Sequence, residues 1–222
     1  MKLLIVCATK PEINFINLGD GTFFQNAISG KHTVDILFTG VGMMATAFSL
    51  TDILHTNSYD LVINAGIAGS FTKAISKGEV VMVEEEVCGD LGAEDDEYYL
   101  DVFELNLADK NNFPFIEGAI RSENKTDSTL LDSIKKVRGL TVNKVHGNEK
   151  SIEKIKTKYS ADIETMEGAA CFYVCKQKNI ACIQLRSISN YVEKRNRADW
   201  DIASAVKNLN TFLKSFIDEL PA

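Results

Sequence analysis

The sequence predicts an α/β protein in which a twisted central sheet, mixed but largely parallel, is flanked by helices. Three observations support this fold class. Apolar runs of strand length alternate with segments of helical periodicity from one end of the chain to the other. With 222 residues, of which 45% are hydrophobic and 25% charged, the chain can bury one large core. Only three prolines interrupt it, so we expect a single domain over residues 1–222.

The first half of the chain shows this alternation clearly. We predict strands at 3–8, 34–40, 60–69 and 78–87, and a helix at 43–55. The opening MKLLIVCA is too short in its apolar part for a secretion signal and lacks a cleavage pattern, so we interpret it as a strand. For residues 89–135 we predict loops and one helix, which starts within SENKTDSTLLDSIKK.

The second half repeats the pattern. We predict strands at 139–145, 161–166 and 180–189, and helices at 149–159 and 167–178. The last segment, 200–220, has apolar residues every three or four positions, which is typical of a long amphipathic helix packed on a core. That apolar stripe consists of Ile202, Val206, Leu209, Leu213, Phe216 and Leu220.

Composition and charge argue against several classes of partner. A net charge of -7 with scattered Lys and Arg does not favour nucleic acid. No apolar run reaches the roughly 20 residues that span a bilayer, so we expect no membrane partner. Five cysteines without a CxxC predict no disulfide framework and fit the reduced cytoplasm. The three histidines lack metal-ligand spacing, and we expect neither a metal nor a cofactor.

GVGMMA, at residues 40–45, matches the loose form of a dinucleotide-binding fingerprint. An acid twenty positions further on, Asp60, could complete it. However, Asp60 opens a predicted strand, whereas the ribose-binding acid belongs at a strand end, and the fingerprint belongs after the first strand of its fold. We therefore do not expect NAD.

Both GVG and AGIAGS are better interpreted as tight strand-to-helix turns that contain Gly42, Gly66, Ala68 and Gly69. Their backbone N–H groups would face a crevice and cradle a sugar, a phosphate or a water. The alternative is that these glycines serve only close packing of helix on strand.

Two further stretches place polar side chains where elements meet. In IETMEGAA, Glu167 falls in the first turn of a helix, where the helix dipole favours a carboxylate, although a simple helix cap would look the same. In RSISN, Asn190 ends a buried strand, a position at which many α/β proteins place their sites. A turn-forming asparagine is the alternative there.

These features occur together in the order of a known family. A strand followed by Glu12, then GVG and AGIAGS, a METEGAA-like turn and a strand ending R-x-I-S-(D/N) resemble the purine nucleoside phosphorylase superfamily, especially its methylthioadenosine/S-adenosylhomocysteine nucleosidases. The stretches GDLGAED and SNYVEKRNRADW resemble the futalosine hydrolase family, which serves an alternative route of menaquinone biosynthesis. The resemblance is weakest over 90–135, and it implies a nucleoside phosphorylase-like three-layer sandwich.

The resemblance also implies a division of labour in cleaving a purine from ribose. Glu167 matches the glutamate that binds the ribose hydroxyls, Met166 would pack against the sugar, and Glu12 matches the general base that activates water. Phosphorylases of the superfamily hold phosphate with arginines from their N-terminal regions, but this chain has no arginine before Arg121. We therefore expect water as the nucleophile.

Asn190 stands where adenine-releasing relatives have an aspartate. An amide can donate to a 6-oxo group and accept from a ring N–H, which suits hypoxanthine, but it cannot supply a proton to the leaving purine. Arg195 and Arg197 would pair with the carboxyphenyl group of futalosine, beside Trp200 or Tyr191, unless they are only solvated loop charges.

The resemblance thus implies a homodimeric or larger enzyme that hydrolyses futalosine to hypoxanthine and dehypoxanthine futalosine. Three alternatives stay open: a methylthioadenosine nucleosidase, a purine nucleoside phosphorylase, and a non-catalytic nucleoside-binding protein. Asn190 speaks against the first, the missing N-terminal arginines against the second, and Glu12 against the third.

Overall fold

The computed structural model describes residues 1–123 and 126–221. The strands are β1 (Lys2–Cys7), β2 (Phe23–Ser29), β3 (Thr33–Phe38), β4 (Leu61–Ser70), β5 (Val80–Cys88), β6 (Gly92–Asp95), β7 (Tyr98–Asp101), β8 (Ile120–Arg121), β9 (Lys136–Thr141), β10 (Ile163–Thr165) and β11 (Cys182–Tyr191). The helices are α1 (Met43–Thr56), α2 (Thr129–Ser133), α3 (Glu149–Tyr159), α4 (Gly168–Gln177) and α5 (Ile202–Glu219).

The main sheet is mixed and runs in the order β10-β9-β5-β11-β4-β1-β3-β2, with β8 on β5. Antiparallel pairs join β2 to β3, β5 to β11, β5 to β8 and β4 to β10, so the predicted mixed sheet is confirmed. The remaining two strands, β6 and β7, form a separate hairpin.

Part of the sheet closes on itself. One edge of β4 pairs with β1 over its first residues and with β10 at Gly69 and Ser70. The strands β4, β11, β5, β9 and β10 therefore form a closed, barrel-like ring, which corrects the sheet of the predicted three-layer sandwich, while the α/β fold with flanking helices is confirmed. The reason lies in β4 and β11, which are ten residues long. Strand twist accumulates over that length, and a bulge between Ile188 and Asn190 bends β11 further.

Hydrophobic residues cover both faces of this sheet. Along β1, Leu3 and Ile5 point into a cluster with α5, while Leu4 and Val6 point into a cluster with α1 and α4, as the period of two requires. The stripe of α5 is buried as predicted, except that Ile202 is 45% exposed. No helix in the described residues is both long and apolar enough to cross a bilayer.

Most predicted elements are confirmed, and the misses are local. The strand predicted at 139–145 begins at Lys136, and β2 was not predicted. Within 89–135 the structure contains β6, β7 and β8 as well as the predicted helix, which is α2. Two residues of that helix-containing stretch, Asn124 and Lys125, lie outside the described residues. AGIAGS is not a turn but the second half of β4.

Candidate active site

Glu12 ends the short 3-10 turn Lys10–Glu12 that follows β1, and it is 7% exposed. Its Oε2 accepts hydrogen bonds from the amide and the hydroxyl of Thr9, at 2.8 and 3.2 Å, and its Oε1 accepts from the Ile67 amide at 3.2 Å. The side-chain amide of Asn210 on α5 donates to the Glu12 carbonyl at 2.9 Å. These contacts fix the carboxylate against β4 before any substrate arrives.

Gly66 of β4 leaves the space that the side chains of Arg186 and Glu12 occupy. It pairs with Arg186 across the β4–β11 ladder. A Cβ atom at position 66 would overlap the Arg186 guanidinium and would lie 2.7 Å from Oε1 of Glu12. The predicted glycine at position 66 is therefore needed for close approach of side chains rather than for a turn.

Glu167 is the N-cap residue of α4, and it too is only 7% exposed. Its Oε1 accepts from the Gly42 amide at 3.1 Å, and its Oε2 lies 3.7 Å from Nη2 of Arg186. Gly42 has a φ of 96° in the turn between β3 and α1, so the GVG turn predicted from sequence is confirmed. Its N–H binds a carboxylate of the chain itself.

Burial raises the pKa of Glu167 above its ordinary value, and the neighbouring Glu12 carboxylate raises it further. The Arg186 guanidinium and the Gly42 amide act in the opposite direction. Two buried carboxylates thus share one region with a single buried cation. Met166 is half-buried in the connection from β10 to α4, directly before Glu167.

Asn190 follows the bulge in β11 and pairs with Gly69 of β4. Its Oδ1 accepts from the Ser189 hydroxyl at 2.8 Å, and its Nδ2 donates to the Tyr191 carbonyl at 2.9 Å. A Cβ at Gly69 would lie 3.2 Å from Nδ2, so this glycine also makes room for a side chain. The Ser189 hydroxyl lies 3.2 Å from the Ala68 carbonyl, which links Ala68 to the same group. Among the described residues, each end of the Asn190 amide keeps one further hydrogen-bonding position.

A cleft starts at Asn190 and continues beneath the loop 193–200. Arg195 lines it, with its guanidinium carbon 5.2 Å from the centre of the Trp200 ring. Arg197 also lies near that ring, at 5.9 Å, but it does not belong to the cleft wall among the described residues. Arg195 and Asn190 therefore line the same cleft, and Arg197 lies outside that cleft.

The opposite wall of the cleft contains His146 and Glu164. Glu164 pairs with Gly69 on the edge of β4 away from Asn190. Gly66 and Gly69 are three residues apart along β4, or about 10 Å at a strand rise of about 3.3 Å per residue. The carboxylate group and the cleft therefore adjoin the same strand, β4.

Sequence reasoning missed Arg186 as a functional residue, although it quoted the motif. Arg186 is 1% exposed, and its Nη2 donates to Oδ1 of Asn64 at 2.6 Å. The available signal was an arginine inside an apolar strand, because a charge is rarely buried without a partner.

Glu86 was also missed, and it lies fully buried inside the barrel-like ring. Its carboxylate accepts from Nε2 of Gln184 at 2.6 Å and from the hydroxyls of Thr141 and Thr165 at 2.8 and 3.3 Å. Burial raises the pKa of Glu86 to about 7 against those hydrogen bonds. A run of three glutamates in VVMVEEEVC gave no indication of which one is buried.

Three cysteines converge although the sequence contains no CxxC. The sulfur atoms of Cys171, Cys175 and Cys182 lie within 4.8 Å of one another, and those of Cys171 and Cys182 are 3.8 Å apart. Soft metal ions favour such thiols as thiolates. Burial in the apolar core raises the pKa of Cys182 well above its ordinary value, which disfavours that form. We interpret the group as part of the hydrophobic core.

Comparison with known proteins places this geometry in a family. The model of the phosphorylase superfamily matches residues 2–218. The chain is 30% identical over 217 residues to futalosine hydrolase of Acidothermus cellulolyticus, covering 94% of this chain and 87% of the relative. It is 24% identical over 217 residues to 5'-methylthioadenosine/S-adenosylhomocysteine nucleosidase of Shewanella oneidensis, covering 90% and 89%.

A solved structure shares the fold over almost the whole chain. The 5'-methylthioadenosine/S-adenosylhomocysteine nucleosidase of Colwellia psychrerythraea, in complex with adenine, superimposes with a TM-score of 0.79 at 21% identity, covering 99% of this chain and 96% of that one. The chain belongs to the phosphorylase superfamily. Within it the protein is an enzyme of the N-glycosidase class, the class of its nucleosidase relatives.

Proposed function

We propose that this protein hydrolyses the N-glycosidic bond of futalosine and releases hypoxanthine and dehypoxanthine futalosine. The observation that carries the choice of base is Asn190, whose amide lies in the cleft with one donor and one acceptor position free. The similarity to a futalosine hydrolase over 94% of the chain supports the same substrate.

The buried carboxylates fit the sugar side of the reaction. As the bond to the purine breaks, positive charge develops on the ribose ring, and a fixed carboxylate stabilises it without reorganisation. Glu167 accepts hydrogen bonds from the ribose hydroxyls, and Met166 packs against the sugar. Glu12, held by Thr9 and Ile67, takes a proton from the attacking water.

Asn190 fits the base side. Hypoxanthine presents a 6-oxo acceptor beside its N1–H donor, and a primary amide complements both. Adenine presents a donor and an acceptor in the reverse order, so the Asn190 amide would have to turn over and lose its hydrogen bonds to Ser189 and Tyr191. Mismatches of this kind reduce kcat/KM by on the order of 10⁴-fold.

Arg195 fits the far end of futalosine. Its guanidinium lines the cleft and lies over the Trp200 ring. In a carboxyphenyl group, the carboxylate can pair with the guanidinium and the aromatic ring can pack on Trp200. Arg197 contacts the same ring from outside the cleft, and we assign it a smaller contribution to substrate binding.

The choice of water over phosphate is supported by where the arginines lie. Arg186 is close to the sugar side, but its guanidinium already bonds Asn64 and faces Glu167. Two carboxylates beside it, Glu12 and Glu167, would repel a phosphate dianion. No metal or cofactor takes part in the proposed chemistry.

We also propose that the chain self-associates. Val41, directly before Gly42, and Met44 and Phe48 in α1 are 55%, 86% and 75% exposed. An exposed apolar patch beside a site is typical of an interface between copies. Light scattering after gel filtration tests this: a dimer or larger assembly is expected, and Met44→Glu should reduce its mass. A wild type that stays monomeric at micromolar concentration would contradict the proposal.

The function is tested by base release in phosphate-free buffer. Futalosine, inosine and methylthioadenosine are incubated separately with the wild type, and phosphate is then added. Hypoxanthine release from futalosine that does not depend on phosphate is the expected result. Adenine release from methylthioadenosine would identify the adenine-specific alternative, and an absolute need for phosphate would identify a phosphorylase. Binding of futalosine without turnover would leave only a binding protein.

A further inference from the structure

Asn190 creates a chemical problem for the proposed function. A departing purine gains negative charge, and protonation of its imidazole ring makes it a better leaving group. The primary amide of Asn190 is not an acid and cannot deliver that proton. A second group in the same cleft must supply it, or the base must leave as an anion.

His146 lies in that cleft on the wall opposite Asn190. Its backbone N–H donates to both carboxylate oxygens of Glu164, at 3.3 and 3.1 Å, and its ring Nδ1 is hydrogen-bonded to Oε1 of the same carboxylate. The Glu164 side chain is 4% exposed and that of His146 12%. One buried carboxylate thus holds both the backbone and the ring of this histidine.

The sheet places this pair at the base side. Gly69 of β4 pairs with Glu164 of β10 on one edge and with Asn190 of β11 on the other. Neighbouring strands are about 4.8 Å apart, so Glu164 and Asn190 flank a space about 10 Å wide. Gly147 packs against the Arg195 side chain, which brings the loop 193–200 over His146.

We propose that His146 is the general acid that protonates the leaving purine, and that Glu164 is the residue that positions it. This inference rests on the proposed function. Because a carboxylate only accepts hydrogen bonds, Nδ1 carries a hydrogen, and Nε2 is the nitrogen available to the substrate. Glu164 fixes the orientation of the ring through Nδ1, and in the imidazolium form Nε2 carries the proton that is transferred.

The step balances in atoms and electrons. The C1'–N9 bond breaks with its electron pair moving into the purine, and Nε2 of His146 gives its proton to N7. Water forms a bond to C1' and passes its proton to Glu12. His146 then regains a proton from solvent while Glu12 releases one, so the net reaction consumes only water.

Charged groups face His146 from two elements. Glu164 of β10 is in direct contact, and the loop 193–200 presents Glu193, Lys194, Arg195 and Asp199 to the same cleft. The charges of the two acidic and two basic side chains of the loop cancel, so the buried Glu164 carboxylate has the largest electrostatic effect on His146.

The test compares futalosine with futalosine methylated at N7. The methylated purine already carries positive charge and leaves as a neutral molecule, so it needs no acid. For His146→Gln we expect kcat on futalosine to fall by about 10²-fold and kcat on the methylated substrate to change less than about threefold. The exposed His55→Gln on α1 is the matched control and should leave both unchanged.

Glu164→Gln provides a readout that a purely structural role would not move. Without the carboxylate, kcat should fall for futalosine and change by less than about threefold for the methylated substrate. Should His146→Gln not fold, judged by its thermal unfolding, His146→Asn serves in its place.

The outcomes separate two kinds of failure. Equal loss on both substrates, or no loss on either, overturns the assignment of His146 while the hydrolase function stands. If the wild type releases no base from either substrate, the proposed function itself has failed.

Discussion

The two ends of the candidate site are built differently. At the sugar side, Glu12 and Glu167 are each 7% exposed and held by backbone amides, and Arg186 lies fully buried between them. At the base side, Asn190 is half-buried, and the loop that carries Arg195 is exposed. The buried end is fixed by contacts of the fold, whereas the exposed end depends on a loop.

This difference separates stabilisation of the sugar cation from substrate choice. Stabilising a developing cation requires charges that are already in place, and burial prevents their reorganisation. Selecting one base or one 5' group requires only a few side chains at a cleft, and a loop can change them without disturbing the core. The account therefore expects large, substrate-independent losses from the buried end and selective losses from the exposed end.

The largest expected effect comes from removing a carboxylate at the sugar side. Glu12→Gln should lower kcat on every accepted nucleoside by about 10³-fold, because the general base is lost while the shape is kept. Initial rates of base release measure this, with the exposed Glu153→Gln as the control. Retention of more than a tenth of wild-type kcat by Glu12→Gln would remove it from the mechanism.

A single methyl group at the sugar side should do nearly as much. Gly66→Ala places a Cβ against the Arg186 guanidinium and 2.7 Å from Glu12, so both charged groups must shift. A displacement of about 1 Å at a reacting centre can cost about 10²-fold in rate. Gly19→Ala, whose Cβ would meet nothing within 4 Å, is the matched control. Equal kcat/KM for the two variants would contradict this geometry.

A further buried carboxylate, Glu86, should affect the pH dependence of stability. Because burial raises the pKa of Glu86 from 4.5 to about 7, its contribution to stability is fully present below about pH 4.5 and is lost as pH rises through 7. At about 1.36 kcal/mol per pKa unit, this loss is about 3 kcal/mol.

Glu86→Gln cannot ionise and should lack that dependence. Relative to the wild type it should gain about 3 kcal/mol in unfolding free energy between pH 4.5 and pH 8, measured by urea denaturation. The exposed Glu153→Gln should track the wild type at every pH. A constant difference between Glu86→Gln and the wild type would show that Glu86 does not titrate in this range.

The smallest effect is expected at the loop. Arg195→Ala should raise KM for futalosine by about threefold to tenfold with kcat unchanged, because an exposed cation contributes little. Arg197→Ala, outside the cleft, should raise it less. If the double variant leaves KM unchanged, neither arginine binds the carboxylate.

The sequence predicted the core elements because their signals are local. The alternation of apolar runs located β1, β3, β4 and β11, and three-to-four spacing located α1, α3, α4 and α5. Closure of the sheet was not predictable in this way, since it depends on two residues of β4 pairing with β10, far along the chain.

The residues of the candidate site also divide into those with a local sequence signal and those without one. Asn190 and Glu167 were found because they stand where an element ends, and resemblance to a family supplied their roles. Arg186 and Glu86 were overlooked because each acts through partners distant in sequence, such as Asn64 and Gln184. The closeness of Gly66 to two charged groups follows from strand pairing, which the motif AGIAGS does not reveal.

The most direct test of the account is the kcat/KM of Asn190→Asp on futalosine and on its 6-amino counterpart, which differ only in the base. The account predicts that the ratio favours futalosine in the wild type and shifts by at least about 10²-fold towards the 6-amino compound in the variant. It also predicts that Glu12→Gln lowers both rates without changing the ratio. An unchanged ratio in Asn190→Asp would mean that the base is selected elsewhere and would contradict the separation of cleavage from choice.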